Sequence, residues 1–245
     1  MEHIVDQIIK ESGLSKSSLA ERSGLARSTQ YRIRDGLVDP TVGSLRELAL
    51  AGGFDLDVQL APLSDPVAGQ AARAILDPRF QQTRTKEIDA WVRRLQRWVP
   101  DGNPVEIVRW AGRSSNLLNR RHAVFLHGPV NDLKLASAGS FSKQPWLLSG
   151  AAVVDRVGER HEDGAAGQHV VYTADTHRFG RLLDHMKTVR PEKANLILAD
   201  YTADLEEDSW VDGTIRLVAP IQGLIDAFGI GGELAVEADR IAKGW

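Results

Sequence analysis

The first part of the chain consists of short amphipathic stretches separated by turn residues. Apolar side chains recur at helical spacing over residues 1–11, which predicts a first helix there. Ser15 precedes the stretch 16–23, and Gly36 follows the stretch 27–34. Serine before a helix and glycine after one suit the unpaired backbone groups at helix ends. Two short helices joined by a tight turn form the outline of a helix-turn-helix.

Two further elements complete a predicted N-terminal domain, which covers residues 1–62. Thr41 precedes an amphipathic stretch that predicts a helix over residues 42–51. Residues 54–60 alternate between apolar and polar side chains, as a strand with one buried face does. Four helices and a strand are enough elements for a small domain with its own core.

The remaining chain predicts a helical segment over residues 63–121 and a mixed α/β domain over residues 122–245. The helical segment contains a linker and three amphipathic stretches, at 67–76, 85–99 and 105–111. In the C-terminal domain, strands are predicted at 123–127, 133–135, 169–172, 195–199 and 214–218, helices at 145–157, 176–188, 220–227 and 233–243, and a polar loop at 158–167. The fold class predicted for the whole chain is therefore α+β.

Composition limits the class of protein. The 245 residues are 42% hydrophobic and 26% charged, which is ordinary for a soluble globular protein. No run approaches the roughly 18 apolar residues of a membrane span, and the acidic start is unlike a secretory signal. The chain contains no cysteine, which excludes disulfides and thiolate metal sites. We expect a cytoplasmic protein. Because its net charge is −3, any nucleic-acid surface must be local.

The predicted second helix of the helix-turn-helix carries the candidate chemistry for DNA. Arg27 and Ser28 lie at its start and Arg32 lies about one turn later, so all three are placed to reach base edges. An arginine that makes two hydrogen bonds to guanine contributes roughly 1–3 kcal/mol of discrimination. Contacts to the DNA backbone are predicted for Thr29, Tyr31 and Arg34, and Lys16 and Ser17 are also predicted to contact DNA. A helical module for dimerisation or protein docking is the alternative interpretation.

Residues 79–121 form the most basic part of the chain, with ten Lys/Arg against four Asp/Glu. Possible contacts to DNA phosphates are Arg84, Lys86, Arg93, Arg94 and Arg97. An acidic partner or a simple solvated helix face would explain the same charges. Three tryptophans in this region, at positions 91, 98 and 110, follow helical spacing, so we expect them in the core.

Other motifs do not complete an active site. Asp132 and Lys134 have the D-x-K spacing of metal-dependent nucleases, for which Glu106 is the nearest further acid. His177 and His185 are two helical turns apart, too far for a compact metal pair. Six acids between residues 200 and 212 are interpreted as an exposed loop or a surface for a basic partner. We therefore assign no catalytic residue, metal or cofactor and expect a protein that is not an enzyme.

The sequence LSKSSLAERSGLARSTQYRIRDG, followed by DPTVGSLRELALAGG, resembles the Xre/Cro-like helix-turn-helix family over residues 14–53. This resemblance implies a domain that inserts the helix at 27–34 into the DNA major groove. Helix-turn-helix proteins usually bind two half-sites, so a homodimer on double-stranded operator DNA is expected.

A second resemblance lies in the C-terminal region. Pro220, Gln222 and Asp226, then Gly231–Gly232 and a helix with Glu237 and Ala238, look like the end of AbiEi-type antitoxins, and WLLSGAAVVDRVG looks like that family's central helix start. The resemblance implies a transcriptional repressor that acts as the antitoxin of a toxin–antitoxin system, autoregulates its operon and is encoded beside a nucleotidyltransferase-like toxin. A nuclease or modification enzyme with a helix-turn-helix targeting domain and a ligand-sensing regulator are the alternatives.

Overall fold

The computed structural model describes residues 4–77, 80, 84–158 and 167–244. It divides into two compact units, Met1–Ala61 and Pro62–Trp245, here called the N-terminal and C-terminal units. Each unit contains a hydrophobic core of its own. The described residues form twelve α-helices and one seven-stranded sheet, which confirms the predicted α+β fold class. None of these helices has the length and apolar character that crossing a membrane requires.

The N-terminal unit consists of four helices: α1 (Ile4–Ser12), α2 (Lys16–Ser23), α3 (Arg27–Arg34) and α4 (Val42–Ala51). Side-chain caps begin two of them, as predicted. The Ser15 hydroxyl accepts a hydrogen bond from the Ser18 amide at 3.1 Å, and the Thr41 hydroxyl accepts one from the Ser44 amide at 3.1 Å. Gly24, with φ of 68°, makes the left-handed turn between α2 and α3. The bounds of α2, α3 and α4 match the prediction, and residues 1–3 of the predicted first helix lie outside the described residues.

The core of this unit is small and contains one buried amide. Its buried members are Val5, Ile8, Leu19, Ile33, Leu48 and Ala49. Gln30 lies beside them and donates from Nε2 to the Ser23 hydroxyl at 3.2 Å. Ser23 in turn donates to the backbone carbonyl of Ala20. The buried amide therefore keeps a hydrogen-bond partner, which a buried polar group needs.

The strand predicted at residues 54–60 does not form. Phe54 and Leu56 pack against the small core, but Leu60 is 99% exposed. The described part of the N-terminal unit has no other strand for this segment to pair with. An alternating pattern therefore remains an extended segment here, since a strand is stabilised only when its backbone groups are bonded to a neighbour.

The C-terminal unit begins with three helices, α5 (Val67–Leu76), α6 (Lys86–Trp98) and α7 (Pro104–Ser114), and ends with α11 (Pro220–Ile230) and α12 (Gly232–Ala242). Close packing joins α7 to α11. A Cβ atom added at Gly112 would lie 2.4 Å from the carbonyl oxygen of Ile225. Because α5, α6 and α7 share one core with the sheet, the predicted separate segment 63–121 is wrong: these residues belong to the same unit as residues 122–245.

The sheet of the C-terminal unit has the strand order β4-β1-β5-β3-β2-β7-β6. Its strands are β1 (Val124–His127), β2 (Trp146–Gly150), β3 (His169–Thr173), β4 (Lys187–Thr188), β5 (Leu196–Asp200), β6 (Trp210–Asp212) and β7 (Ile215–Leu217). Three further helices are α8 (Asp132–Ser142), α9 (Ala151–Val157) and α10 (Thr176–Arg181). At the centre, β3 and β5 are parallel, with Thr173 opposite Asp200. Their carboxyl ends therefore meet at one edge of the sheet.

Three predicted elements of this unit are wrong. Residues 133–135 lie in α8, which begins where the Asn131 side chain accepts a hydrogen bond from the Lys134 amide. The stretch 145–150, predicted to start a helix, contains β2, because a short apolar run has no periodicity that separates strand from helix. The helix predicted at 176–188 ends at Arg181 and gives way to β4. Residues 159–166 of the predicted loop lie outside the described residues.

Candidate functional site

Helix α3 presents its predicted base-reading residues to solvent. Gln30 and Ile33 point into the core, so the opposite side of the helix carries Arg27, Ser28 and Arg32, all exposed. Within the described residues, neither Arg27 nor Arg32 forms an ion pair. An arginine without a protein partner can bind a base edge or phosphate without first breaking an existing ion pair.

The predicted backbone-contacting residues are grouped around Tyr31. The Tyr31 ring is 47% exposed, with Lys16 Nζ 5.6 Å and the Arg34 guanidinium carbon 4.6 Å from its centroid. Arg34 also lies 2.8 Å from the Asp35 carboxylate, and a hydrogen bond from its side chain to that group raises the Arg34 pKa. Lys16, Tyr31 and Arg34 thus share one surface, whereas Ser17 and Thr29 are half-buried.

A second basic surface lies on α6. Lys86, Arg93, Arg94 and Arg97 are exposed there, and Arg84, also exposed, lies 3.0 Å from the Asp89 carboxylate. Within the described residues, Asp89 is the only acid that forms an ion pair with any of these five residues. The exposed side of the helix therefore remains positively charged. The arginines of α6 are thus accessible to solvent, as a contact to phosphate requires.

The sequence predicts all three tryptophans of this region in the core, but only Trp91 lies there. Trp91 is buried, but Trp98 is 42% exposed and Trp110 is 38% exposed. The rings lie in a row, with centroids 5.9 Å apart between Trp91 and Trp98 and 5.7 Å apart between Trp98 and Trp110. Trp98 is the last residue of α6, and the core contact at this end of the helix is made by the next residue, Val99, which is buried. Arg94 and Arg113 lie over the faces of Trp91 and Trp110.

A buried polar cluster lies inside the C-terminal unit, around Asp226 of α11. Its carboxylate accepts hydrogen bonds from Ser149 Oγ of β2 at 2.5 Å, from the Tyr172 hydroxyl of β3 at 2.9 Å and from Gln222 Nε2 at 2.9 Å. Burial raises the pKa of Asp226 to about 6, although these three donors oppose the shift. Burial also raises the pKa of Tyr172 well above its ordinary value. The cluster joins α11 to the neighbouring strands β2 and β3.

Two members of this cluster, Tyr172 and Gln222, also line a cavity of about 200 Å³. The cavity lies where β3 and β5 end, and its polar lining includes Gln70, Arg120, Asp200 and Asp204. Ligands of open parallel sheets commonly bind outside the carboxyl ends of the strands. This cavity is therefore the candidate small-molecule site of the C-terminal unit.

The sequence pattern does not predict this site. Its residues come from distant parts of the chain: Ser149 and Asp226 are 77 positions apart. One signal is present, because Gln222 and Asp226 are polar residues spaced i, i+4 in an otherwise apolar helix. In the sequence they contribute only to a family resemblance, and nothing marks Ser149 or Tyr172 as their partners.

In the D-x-K motif, the carboxylate of Asp132 is bound by neighbouring side chains of the C-terminal unit. Asp132 lies 2.7 Å from Arg156 Nη1 and 3.1 Å from His169 Nε2. Glu106, on α7 rather than α8, is paired with Arg109. His185 lies beyond the end of α10, so it shares no helix face with His177. Among the described residues, no group of three potential ligands is arranged to hold a metal ion.

The acidic stretch 200–212 is only partly the exposed loop that its charge pattern predicts. Glu206 lies within 3.0 Å of Arg216 and accepts a hydrogen bond from the Tyr201 hydroxyl at 2.8 Å. Asp204 is 5% exposed, and Asp212 lies 2.7 Å from Arg156. The expectation fails because several of these acids contact groups of the same unit, which local charge patterning does not reveal.

No family model, curated protein or solved structure matches the chain.

Proposed function

We propose that this protein is a cytoplasmic, sequence-specific DNA-binding repressor that acts as a homodimer, and that it is the antitoxin of a toxin–antitoxin system and autoregulates its operon. The observation that carries the proposal is the exposed face of α3. It presents Arg27, Ser28 and Arg32 on a short helix that is fixed to the core by Gln30 and Ile33. This is the arrangement by which a helix-turn-helix reads base edges.

The dimensions of α3 favour binding as a dimer. Its eight residues span about 12 Å at 1.5 Å per residue, which fits a major groove about 12 Å wide. So short a helix contacts only a few base pairs. Two copies that bind half-sites roughly 34 Å apart would supply the missing specificity.

The α6 arginines are proposed to add affinity that does not depend on sequence. Residues 1–62 have seven Lys/Arg against nine Asp/Glu, so the N-terminal unit has little overall attraction for DNA. Arg93, Arg94 and Arg97 are exposed on one helix of the same chain. Each phosphate that such a residue neutralises releases counterions and strengthens binding at low salt.

The antitoxin role rests on the C-terminal resemblance. Features that support it are a helix that begins at Pro220, a glycine pair of which Gly231 separates α11 from α12 and Gly232 begins α12, and a helix that begins at Ala151 directly after the SG of β2. The partner implied is a nucleotidyltransferase-like toxin, bound directly or linked only genetically. A neighbouring reading frame that encodes such a toxin would support this part of the proposal, and its absence would count against it.

The interactions of Asp132 favour this proposal over a nuclease. A carboxylate that is held by Arg156 and His169 serves to join α8, α9 and β3. Those contacts also lower the pKa of Asp132, although burial opposes them. A ligand-sensing regulator is the second candidate, and the cavity at the ends of β3 and β5 is the observation that favours it.

Substitution of the α3 arginines tests sequence-specific binding. Arg27→Ala and Arg32→Ala are each expected to reduce the preference for operator over random DNA by roughly 5-fold to 150-fold, because each removes about 1–3 kcal/mol of base discrimination. The operator is first selected from a random duplex library with the full-length protein, and preference is then measured by competition gel shift.

Arg46→Ala is the matched control, since Arg46 is an exposed arginine on α4 rather than α3. It is expected to leave the preference unchanged. If both α3 variants retain the wild-type preference, or if no sequence is enriched from the library, the proposal of sequence-specific recognition is wrong.

Salt dependence tests the role of α6. Replacing Arg93, Arg94 and Arg97 by alanine is expected to weaken binding equally on operator and random DNA. The slope of log affinity against log salt should fall by about 0.9 for each phosphate that the variant no longer neutralises. Arg178→Ala, at an exposed arginine of α10, serves as the control. A slope equal to that of wild type in the triple variant would remove α6 from the DNA interface.

A further inference from the structure

The cavity at the carboxyl ends of β3 and β5 is lined by residues of opposite charge. Asp200, Asp204 and Arg120 are among its lining residues. Within the described residues, no ion pair joins Arg120 to either aspartate. Because residues of both charges line the cavity without forming an ion pair with each other, it is suited to a ligand that carries both charges.

Asp204 is the unusual member of this lining. The residue is only 5% exposed, yet its carboxylate receives no hydrogen bond from any described side chain or amide. Arg73 lies close, but its Nη1 donates to the backbone carbonyl of Asp204 and its Nη2 to that of Glu207. The Arg73 guanidinium attracts this carboxylate without a direct hydrogen bond, and the carboxylate oxygens are not fully buried. A cationic donor in the cavity would give them direct hydrogen bonds.

Arg120 is held in position for an anion. Its Nε donates to the Ser64 hydroxyl at 2.9 Å and its Nη2 to the Ser115 carbonyl at 2.7 Å. These two bonds fix the plane of the guanidinium while Nη1 forms no hydrogen bond with the described residues. A fixed guanidinium with a free N–H group is a strong donor for a carboxylate.

The rest of the lining limits the size and polarity of the ligand. A volume of about 200 Å³ lies below the roughly 300–1,000 Å³ of pockets for drug-sized ligands, so the ligand must be small. Gln70 and Gln222 add amide groups, and Gln222 is itself fixed by its bond to Asp226. A dicarboxylate would be repelled by Asp204 and a diamine by Arg120, whereas an uncharged ligand would leave both unpaired.

We propose that this cavity binds a small α-amino acid in its zwitterionic form, with its ammonium group toward Asp204 and its carboxylate toward Arg120. Asp200, which is exposed, adds a second negative charge to the lining. Tyr172 and Gln222 are buried lining residues and are positioned by their hydrogen bonds to Asp226. The site lies wholly in the C-terminal unit, so the inference does not depend on DNA binding.

The test is binding of the protein amino acids, one at a time, to the full-length chain. Isothermal titration calorimetry and the midpoint of thermal unfolding are measured for each. At least one small amino acid is expected to bind and to raise the midpoint as its concentration increases. Propylamine and propionate, which each carry one of the two charges, are expected to bind at least about tenfold more weakly.

Two variants locate the site. Asp204→Asn keeps the shape of the side chain and removes its charge, and Arg120→Gln removes the guanidinium; each is expected to weaken binding at least about tenfold. Asp184→Asn, where the side chain is 94% exposed, should bind like wild type. The proposal is overturned if no amino acid binds at millimolar concentration, if Asp204→Asn binds with wild-type affinity, or if propylamine or propionate binds as tightly as the amino acid. Should Arg120→Gln fail to fold, Asp204→Asn alone decides the outcome.

Discussion

The two units differ in where their candidate functional groups lie: on the surface of the N-terminal unit and in the interior of the C-terminal unit. The N-terminal unit has a core of six buried apolar residues, and its candidate functional groups, such as Arg27 and Arg32, project from a helix into solvent. The C-terminal unit has a much larger core around a sheet, and it buries Asp204 and Asp226 within that core. The candidate groups of the N-terminal unit are therefore accessible from solvent, whereas those of the C-terminal unit lie around a cavity.

This difference also determines how far apart in sequence the cooperating residues lie. The buried amide of the N-terminal unit, Gln30, is bonded to a partner 7 positions away. In the C-terminal unit, the partners of Asp226 on β2 and β3 are 77 and 54 positions away. A surface helix can therefore be interpreted from a local pattern, whereas a buried site exists only after the sheet and α11 have come together.

The largest expected effect comes from Gly112→Ala, which should destabilise the C-terminal unit and leave the core of the N-terminal unit unchanged. The added methyl group would lie 2.4 Å from the Ile225 carbonyl oxygen and 2.9 Å from the Gly229 amide nitrogen. Both are backbone atoms, so α7 and α11 must move apart. We expect a loss of about 3 kcal/mol or more from the free energy of unfolding of the C-terminal unit. Urea unfolding followed by tryptophan fluorescence reports on this unit, because every tryptophan lies beyond residue 61.

A matched control uses Gly180→Ala. At Gly180 a new methyl group would meet only Leu198, at an ordinary 3.5 Å, so the fluorescence transition should stay close to that of wild type. Methyl NMR signals of Leu19 and Ile33, in the core of the N-terminal unit, should be unchanged in both variants. Equal stability of the two glycine variants would show that the approach of α7 to α11 is not as close as described.

Local signals predict the N-terminal helices well. The bounds of α2, α3 and α4 agree with the prediction because Ser15, Thr41 and Gly24 act on the backbone within one turn of themselves. The predicted strand at 54–60 fails for the opposite reason. Its alternating pattern is genuine, but a strand requires a partner, and alternation does not provide one.

The C-terminal errors share this cause. The β2 sequence WLLSG is buried along its whole length because helices cover both of its faces: α8 packs against Trp146, and Asp226 of α11 accepts a hydrogen bond from Ser149, which points to the other face. A strand covered in this way loses the alternation that would distinguish it from a helix. The candidate site is hidden similarly, since Arg120, Tyr172 and Asp204 lie on separate elements that only the parallel pairing of β3 and β5 brings to one edge.

A smaller effect, but a more specific one, is expected from the titration of Asp226. Burial raises its pKa to about 6 in the folded protein, while an unfolded chain has a value of about 3.9. The folded state therefore holds this proton more tightly. The resulting contribution to stability is fully present below about pH 4 and is lost as pH rises through about 6. It corresponds to between about 2 and 3 kcal/mol, from 1.36 kcal/mol for each pKa unit.

Asp226→Asn should remove this pH dependence without causing a larger loss in the free energy of unfolding. The amide oxygen of asparagine can still accept from Tyr172 and Gln222, and its amide nitrogen can donate to Ser149. Urea unfolding at pH 4.5 and pH 7 should thus show wild type losing more stability than the variant over this interval, whereas Asp184→Asn should lose as much as wild type. If the Asp226→Asn variant and wild type lose the same amount, Asp226 is ionised throughout the interval. The three donors around its carboxylate would then outweigh the cost of burying a charge beside the cavity.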